Sequence, residues 1–276
     1  MTLALLACGS ASAPGTPPPE WAARLAEPTP IEARDEVFID RMTWMEVRDA
    51  IAGGATTALV PSGGIESNGP WLVTGKHNII AKADCEAIAR ALGSALCTPV
   101  LRLVPQGSID PPSSHMFFPG TLSLRASTFE AVLEDVAGSL RAHGIEHIVF
   151  FGDSGGNQEP MKRVAERLNE AWTDAQVHMI AAYYDNEATR RDLEQRAGIA
   201  ETRNDGLHDD AATTALLMTS GVHHVRLEER LASGSATING VDLSEPTRMV
   251  EAGRILRHAR VQRTVEAIRE AVKPRP

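Results

Sequence analysis

The chain predicts an α/β fold in which a mostly parallel central sheet is covered by helices on both faces. Two observations carry that expectation. Strand-like apolar runs alternate with stretches of helical spacing over most of the chain. The strand-like runs are also continuously apolar rather than alternating, as strands buried on both faces are. With 276 residues, 43% of them hydrophobic, there is material for one substantial core.

Residues Thr43 to Ala52 have helical spacing and stop at Gly53-Gly54. Thr57 to Pro61 (TALVP) is a short apolar run bounded by glycines and reads as a buried strand. Asn78 to Leu92 is an amphipathic helix stopped by Gly93, and Ala95 to Val104 reads as the next strand. From Ser127 to His143, residues Phe129, Val132, Leu133, Val136 and Leu140 share one helical face, with Gly144 ending the helix. His147 to Phe151 (HIVFF) is a second buried strand. A helix over Glu159 to Trp172, a strand over Val177 to Tyr183, a helix over Ala211 to Met218 and a long terminal helix over Val250 to Val272 complete the order. In sheets of this kind ligands sit beyond the carboxyl ends of the strands. The loops after Pro61, Val104 and Phe151 are therefore where function is expected.

The net charge of −9, with no basic run, argues against a nucleic-acid partner, which needs clustered Lys and Arg to neutralise phosphate. No apolar stretch reaches the roughly 18 residues of a transmembrane helix. Three cysteines are too few and too scattered for a disulfide framework, so Cys85 and Cys97 read as small buried apolar residues. Cys8 stands in Leu5-Leu6-Ala7-Cys8-Gly9-Ser10, which resembles the lipobox of bacterial lipoproteins. A Pro-, Ser- and Ala-rich stretch from Ala11 to Glu20 follows, as a flexible tether would. Residues 1–35 are thus set apart as a leader, either a lipid-anchored signal and tether or an unstructured cytosolic segment. Residues 36–276 form the single α/β domain. Location follows the leader: anchored in the bacterial periplasm, or cytoplasmic.

The loop after Pro61 reads Ser62-Gly63-Gly64-Ile65-Glu66-Ser67-Asn68-Gly69-Pro70-Trp71-Leu72, with His77 eleven residues after Glu66. A second loop, Pro111 to Thr121, reads PPSSHMFFPGT and contains His115. A third, Gly152-Asp153-Ser154-Gly155-Gly156-Asn157, follows the HIVFF strand. A fourth begins Gly206-Leu207-His208. In this order the four loops resemble those of the creatininase family, whose segments run G-x-x-E-Q-H-G-P-H-L-P with a later Asp, S-x-x-H-x-x-F-P-G-T, N-G-H-G-G-N and H-A-G-x-x-E-T-S. The likeness extends from about Glu36 to Arg269. It implies a three-layer α/β/α fold, metal-dependent hydrolysis of a C–N bond, and a closed homo-oligomer, commonly a hexamer.

The departures lie at the ligand positions. Asn68 and Trp71 stand where the family has histidines, His77 where it has the ligand Asp, Ser154 where it has a His, and Thr213 where it has a Glu. What remains is two carboxylates and two imidazoles, Glu66, His77, Asp153 and His208, donors suited to zinc or manganese. They suffice for one ion rather than two. His208, Asp153 and Ser154 are the candidate catalytic groups. Asn68, Trp71, His115, Gly155, Gly156 and Asn157 are candidates for binding a small substrate, the two glycines through N–H groups at a helix start. Each has a plainer alternative: Glu66 capping a turn, His77 facing solvent, Asp153 as a helix N-cap, His208 bonded to a neighbouring Asp, His115 ordering its loop. Lys76 is either a solvated charge or a contact for an acidic substrate. Three functions stay open: a metal-dependent hydrolase of a small, perhaps cyclic, amide; a non-catalytic small-molecule-binding protein on the same fold; and a serine hydrolase using Ser154 with Asp153 and His208, which lacks the G-x-S-x-G elbow.

Overall fold

The central sheet has four parallel strands in the order β2-β1-β3-β4, with β1 at Thr57–Ser62, β2 at Ala95–Cys97, β3 at His147–Gly152 and β4 at Gln176–Met179. The structure, a computed structural model, describes residues 17–204 and 208–273. Between and after the strands come α1 (Pro19–Leu25), α2 (Trp44–Ala52), α3 (Lys76–Leu92), α4 (Ala126–Ala142), α5 (Gly155–Ala171), α6 (Asn186–Ala197), α7 (Ala211–Met218), α8 (Leu227–Ala232) and α9 (Pro246–Ala271). A two-stranded hairpin, β5 (Thr237–Ile238) and β6 (Val241–Asp242), precedes α9.

Strand alternation sorts the core into two layers. Ala58, Val60, Ile148, Phe150 and Val177 point to α4 and α5, where Phe129, Leu133, Met161 and Val164 meet them. Leu59, Val149, Phe151 and Cys97 point the other way, to Cys85 and Ile88 of α3 and Val261, Val265 and Ile268 of α9. This is the expected three-layer α/β/α arrangement. A third cluster joins α6, α7, α9 and the hairpin around Leu193, Leu216, Leu217, Ile238 and Leu256. Because β2 and β3 flank β1 on opposite sides, the strand order reverses at β1, and a crevice opens beyond the carboxyl ends of β1 and β3.

Several boundaries differ from the sequence reading, each for a local reason. The run Ala95 to Val104 makes a ladder only to Cys97, since Pro99 has no N–H to donate; beyond it only single bridges from Leu101 and Val104 remain. The strand expected to Tyr183 stops at Met179 and tightens into a 3-10 turn over Ala181–Tyr184. Helix α5 starts at Gly155 rather than Glu159, so Pro160 lies inside it instead of at its first turn. Helix α6 was not foreseen, because it is polar almost all round. It is held by the Asp185 cap on the Ala188 N–H and by ion pairs at four-residue spacing.

The reading of Cys85 and Cys97 as free apolar residues is overturned: they form a disulfide. Cys85 lies on the sheet-facing stripe of α3 and Cys97 on the face of β2 that α3 covers, with Cα atoms 6.3 Å apart. In the leader, Cys8 falls outside the described residues. Residues 17–35 include α1 yet bury no side chain. They touch the domain mainly through Arg48, whose guanidinium donates to the carbonyls of Leu25 and Glu27. Among the described residues no helix is long and apolar enough to cross a membrane.

Candidate metal centre and its cavity

The loop after β1 is pinned before it reaches the site. Asn78, in the first turn of α3, accepts from the Gly64 N–H (3.0 Å) and donates to the Gly64 carbonyl (2.9 Å). Residue 63 must be glycine for this clamp to close, because a Cβ there would lie 2.2 Å from Asn78 Oδ1. The clamp sets Glu66 beside the start of α3, where His77 projects.

Glu66 is the hub. Its Oε1 accepts from His77 Nε2 at 2.7 Å and from His208 Nε2 at 2.8 Å. Donor atoms of Glu66, His77 and His208 all lie within 4.8 Å of one another. His77 uses its other nitrogen, Nδ1, on Asp153 Oδ2 at 2.8 Å. Asp153 Oδ1 in turn accepts from Arg260 at 2.9 Å, and Arg260 also reaches Asp84, 3.3 Å away. Asp84 takes further bonds from Tyr183 (2.9 Å) and Arg257 (2.8 Å). A continuous line of charged groups thus runs from the crevice, past the carboxyl end of β3, into the packing of α9 against α3. Glu66, His77, Asp153 and Arg260 are all buried. The His208 side chain is half exposed and closes the outer side. His115 packs edge-on against His208, ring centroids 4.3 Å apart, with its Nε2 3.9 Å from Glu66 Oε2.

The electrostatics follow from this wiring. Burial works to raise the Glu66 pKa, but the His208 and His77 hydrogen bonds outweigh it and hold the carboxyl well below the usual range. Burial likewise opposes a charged His77, yet its bonds to Asp153 and Glu66 leave it raised. Lying between two carboxylates, the ring is favoured as the imidazolium, the form in which both nitrogens donate. Asp153 stays ionised against its own burial because Arg260 faces it. Lys76 is buried at the same place; its ammonium donates to the His208 carbonyl at 3.0 Å, while burial pulls its pKa down.

These groups line a cavity of about 660 Å³. The rest of its lining comes from the segment after β2 (Gln106, His115), the start of α5 (Ser154, Gly155, Gly156), and Tyr184, Asn186, Thr189 and Arg190 at and before the start of α6. Gly156 lets α5 approach the segment that follows β2: a Cβ there would stand 1.9 Å from the Pro105 carbonyl oxygen.

The structure gathers Glu66, His77, Asp153 and His208 at one end of the sheet. Asp153 does not cap α5; Ser154 occupies that N-cap position, without a side-chain cap bond. His208 bonds Glu66 rather than a neighbouring Asp, and His77 is buried rather than solvent-facing. The Ser154 hydroxyl donates to Gln106 at 3.2 Å, and His208 Nε2 is engaged by Glu66 at 2.8 Å, so neither group turns to the other as a serine–histidine pair would. Three candidate substrate contacts lie outside the cavity lining. Asn68 turns its amide onto the carbonyls of Glu66 and Val73. Trp71 packs on the α6–α7–α9 cluster beneath Arg230. Asn157 ties Ser62 to Gly63. Sequence reasoning passed over Arg260 and Asp84. Both sit on the buried stripes of their helices, and a charge on an apolar stripe is the one signal that marks them. Gln106 and Tyr184 carry no such mark.

The family model for Creatininase (creatinine amidohydrolase) matches residues 40–267. Among solved structures, the chain resembles creatinine amidohydrolase (creatininase) at 21% identity and a TM-score of 0.64, covering 88% of this chain and 100% of that one. A mutant creatininase described as Zn-Zn type (21%, TM-score 0.63) and a manganese creatininase (21%, TM-score 0.62) are each covered in full by 87% of this chain. At this identity the likeness establishes the fold. No curated protein sequence matches the chain.

Proposed function

The chain belongs to the creatininase family, and from that premise we propose that it is a single-metal amidohydrolase acting on a small amide, cyclic amides included. The observation that carries this reading is the Glu66–His77–His208 cluster with Asp153 behind it. Two imidazoles and one carboxylate, with a position left for water, form a donor set used for catalytic zinc. A metal-bound histidine normally donates its other ring N–H to a carboxylate, as His77 Nδ1 does to Asp153. A bound divalent ion, zinc or manganese as in the solved relatives, would polarise the amide carbonyl and lower the pKa of water. Asp153 then fixes the His77 tautomer with Nε2 turned to Glu66 and the metal position. His115 stands beside His208 on the cavity lining, where it could pass a proton between the substrate and water. The N–H groups of Gly155 and Gly156 belong to the first turn of a long helix whose start lines the cavity, donors of the kind that would stabilise negative charge developing on a carbonyl oxygen. Lys76 and Arg260 already supply two buried cations among the carboxylates, which favours one ion over two.

That same charge balance favours a second reading, a small-molecule-binding protein that needs no metal. One experiment separates the two. Purified wild type and Glu66→Ala are analysed for bound zinc and manganese and assayed on a panel of cyclic amides and lactams with and without chelator. The hydrolase reading expects about one ion per chain, chelator-sensitive turnover, and loss of both in Glu66→Ala. Wild type that takes up no metal when it is supplied, with chelator changing nothing, leaves the binding reading. Two expectations stand with the proposal: a closed homo-oligomer, which the monomer mass in light scattering at micromolar concentration would contradict, and a lipid anchor at Cys8, which mass spectrometry of the membrane fraction would detect.

A further inference from the structure

We infer that the substrate of this cavity carries a carboxylate, bound by Arg190 at the mouth; this rests on the amidohydrolase reading above. Asn186, Thr189 and Arg190, spaced i, i+3, i+4 on α6, all line the cavity. Helix α6 has three arginines. Arg191 pairs with Glu187 and Arg196 with Asp192, each on its own helix. Arg190 has Glu194 at the same four-residue spacing, yet the structure shows no ion pair between them, and Arg190 borders the cavity, exposed.

The charges around it are otherwise committed. Of the other lining cations, Lys76 donates to the His208 carbonyl and Arg260 is held by Asp153 and Asp84. The lining carboxylates are also in use. Glu201 accepts from the Ala211 N–H (2.7 Å) and from Asn239 (2.9 Å). Asp210 caps α7 through Thr213, and Asp209 lies 4.0 Å from Arg230. Glu66 and Asp153 belong to the metal centre. Arg190 is therefore the lining charge that shows no protein partner among the described residues. A guanidinium so placed matches a planar carboxylate with two parallel N–H···O bonds. A single cation balances one carboxylate better than a phosphate dianion. In a cavity of about 660 Å³ the carboxylate and the scissile amide belong to one small molecule, with the acid group at the α6 wall and the amide at Glu66, His77 and His208.

Matched probes test this: dihydroorotate against dihydrouracil, and 5-oxoproline against 2-pyrrolidinone, each pair sharing a cyclic amide and differing in the carboxylate. Wild type, Arg190→Gln and Arg190→Lys, checked for folding by circular dichroism, are assayed with metal. Binding of the two acids to each protein is measured by calorimetry. The expected result is a preference for the acid member that Arg190→Gln reduces by roughly 10- to 100-fold, the size of a lost charge-assisted contact, chiefly through KM, and that Arg190→Lys restores in part. Equal or better turnover of the neutral members, or an unchanged preference in Arg190→Gln, overturns the carboxylate proposal and leaves the hydrolase reading standing. Arg190-dependent binding of the acids without any turnover supports the carboxylate site while removing the hydrolase reading. Neither turnover nor binding overturns both.

Discussion

Asparagine at position 153 removes one negative charge and almost no volume, and the structure sets what should follow. Asp153 is 4% exposed and accepts two charge-assisted bonds, from His77 Nδ1 and from Arg260. An amide offers only one acceptor oxygen. If that oxygen keeps Arg260, the new NH2 faces Nδ1, and the imidazole must accept there and carry its proton on Nε2, the nitrogen a metal needs. If it keeps His77, the NH2 is driven against a guanidinium. Loss of such an outer partner costs about 10–100-fold in metal affinity, or roughly 1.4–2.7 kcal/mol. Breaking a buried ion pair from one side costs ~3–5 kcal/mol. Because Arg260 retains Asp84, the metal-free Asp153→Asn protein should lose about 3 kcal/mol, the lower end of that range. The assay is zinc competition against a chromophoric chelator, paired with urea unfolding of the metal-free protein. An Asp153→Asn protein that binds zinc as wild type does, at undiminished stability, would refute both the tautomer argument and the ion-pair argument.

Other expectations follow from the same contacts. In the metal-free protein the raised pKa of His77 adds stability that is complete below its unfolded value of about 6.5 and is lost as pH climbs through the higher folded value. The lowered pKa of Glu66 adds stability that is present above about 4.3 and lost as pH falls through the folded value. The melting temperature of metal-free wild type should therefore decline on the alkaline side, and His77→Gln should flatten that decline; a wild-type profile level from pH 6 to 9 contradicts it. Metal binding should strengthen over the same range, because His77 must shed its Nε2 proton. Opening the Cys85–Cys97 bond by Cys97→Ser should cost about 3 kcal/mol, the loop-closure figure for a short bridged segment, and an unchanged urea midpoint would count against the bond. Deleting residues 1–35 should leave the melting temperature nearly unmoved, since residues 17–35 bury no side chain; a drop of many degrees would mean that the leader packs.

The layers of the fold were legible because buried parallel strands are written as continuous apolar runs. TALVP and HIVFF became β1 and β3 almost residue for residue. What escaped was governed by partners far off in sequence. Helix α6 has no apolar stripe long enough to announce itself and depends on a cap and on ion pairs. The span after Cys97 looks like strand by composition, but Pro99 ends its ladder. At the site, loop order alone marked Glu66, His77 and His208, yet nothing local says that residues 66 and 208 lie 2.8 Å apart. The sequence offers Asp153 as a metal ligand and a catalytic group; the structure sets it against His77 Nδ1 and Arg260, the latter a partner that only the packing of α9 across α3 could reveal.

The disulfide carries a consequence for how the protein is made. Cys85 and Cys97 are both fully enclosed, and thiol–disulfide exchange needs an attacking thiolate to reach a sulfur. Once α3 is seated on the sheet, neither oxidants nor exchange catalysts have a route to these atoms. The two sulfurs therefore join while the chain is still open, and afterwards the packed fold shields them from reductants. Helix α3 also brings Lys76, His77 and Asn78 to the metal centre. The surroundings in which the chain first folds therefore decide whether the helix bearing His77 is fastened to the sheet or merely resting on it. Material recovered from a reducing cytosol and material recovered after export would share one amino-acid sequence and still differ in how firmly that centre is held.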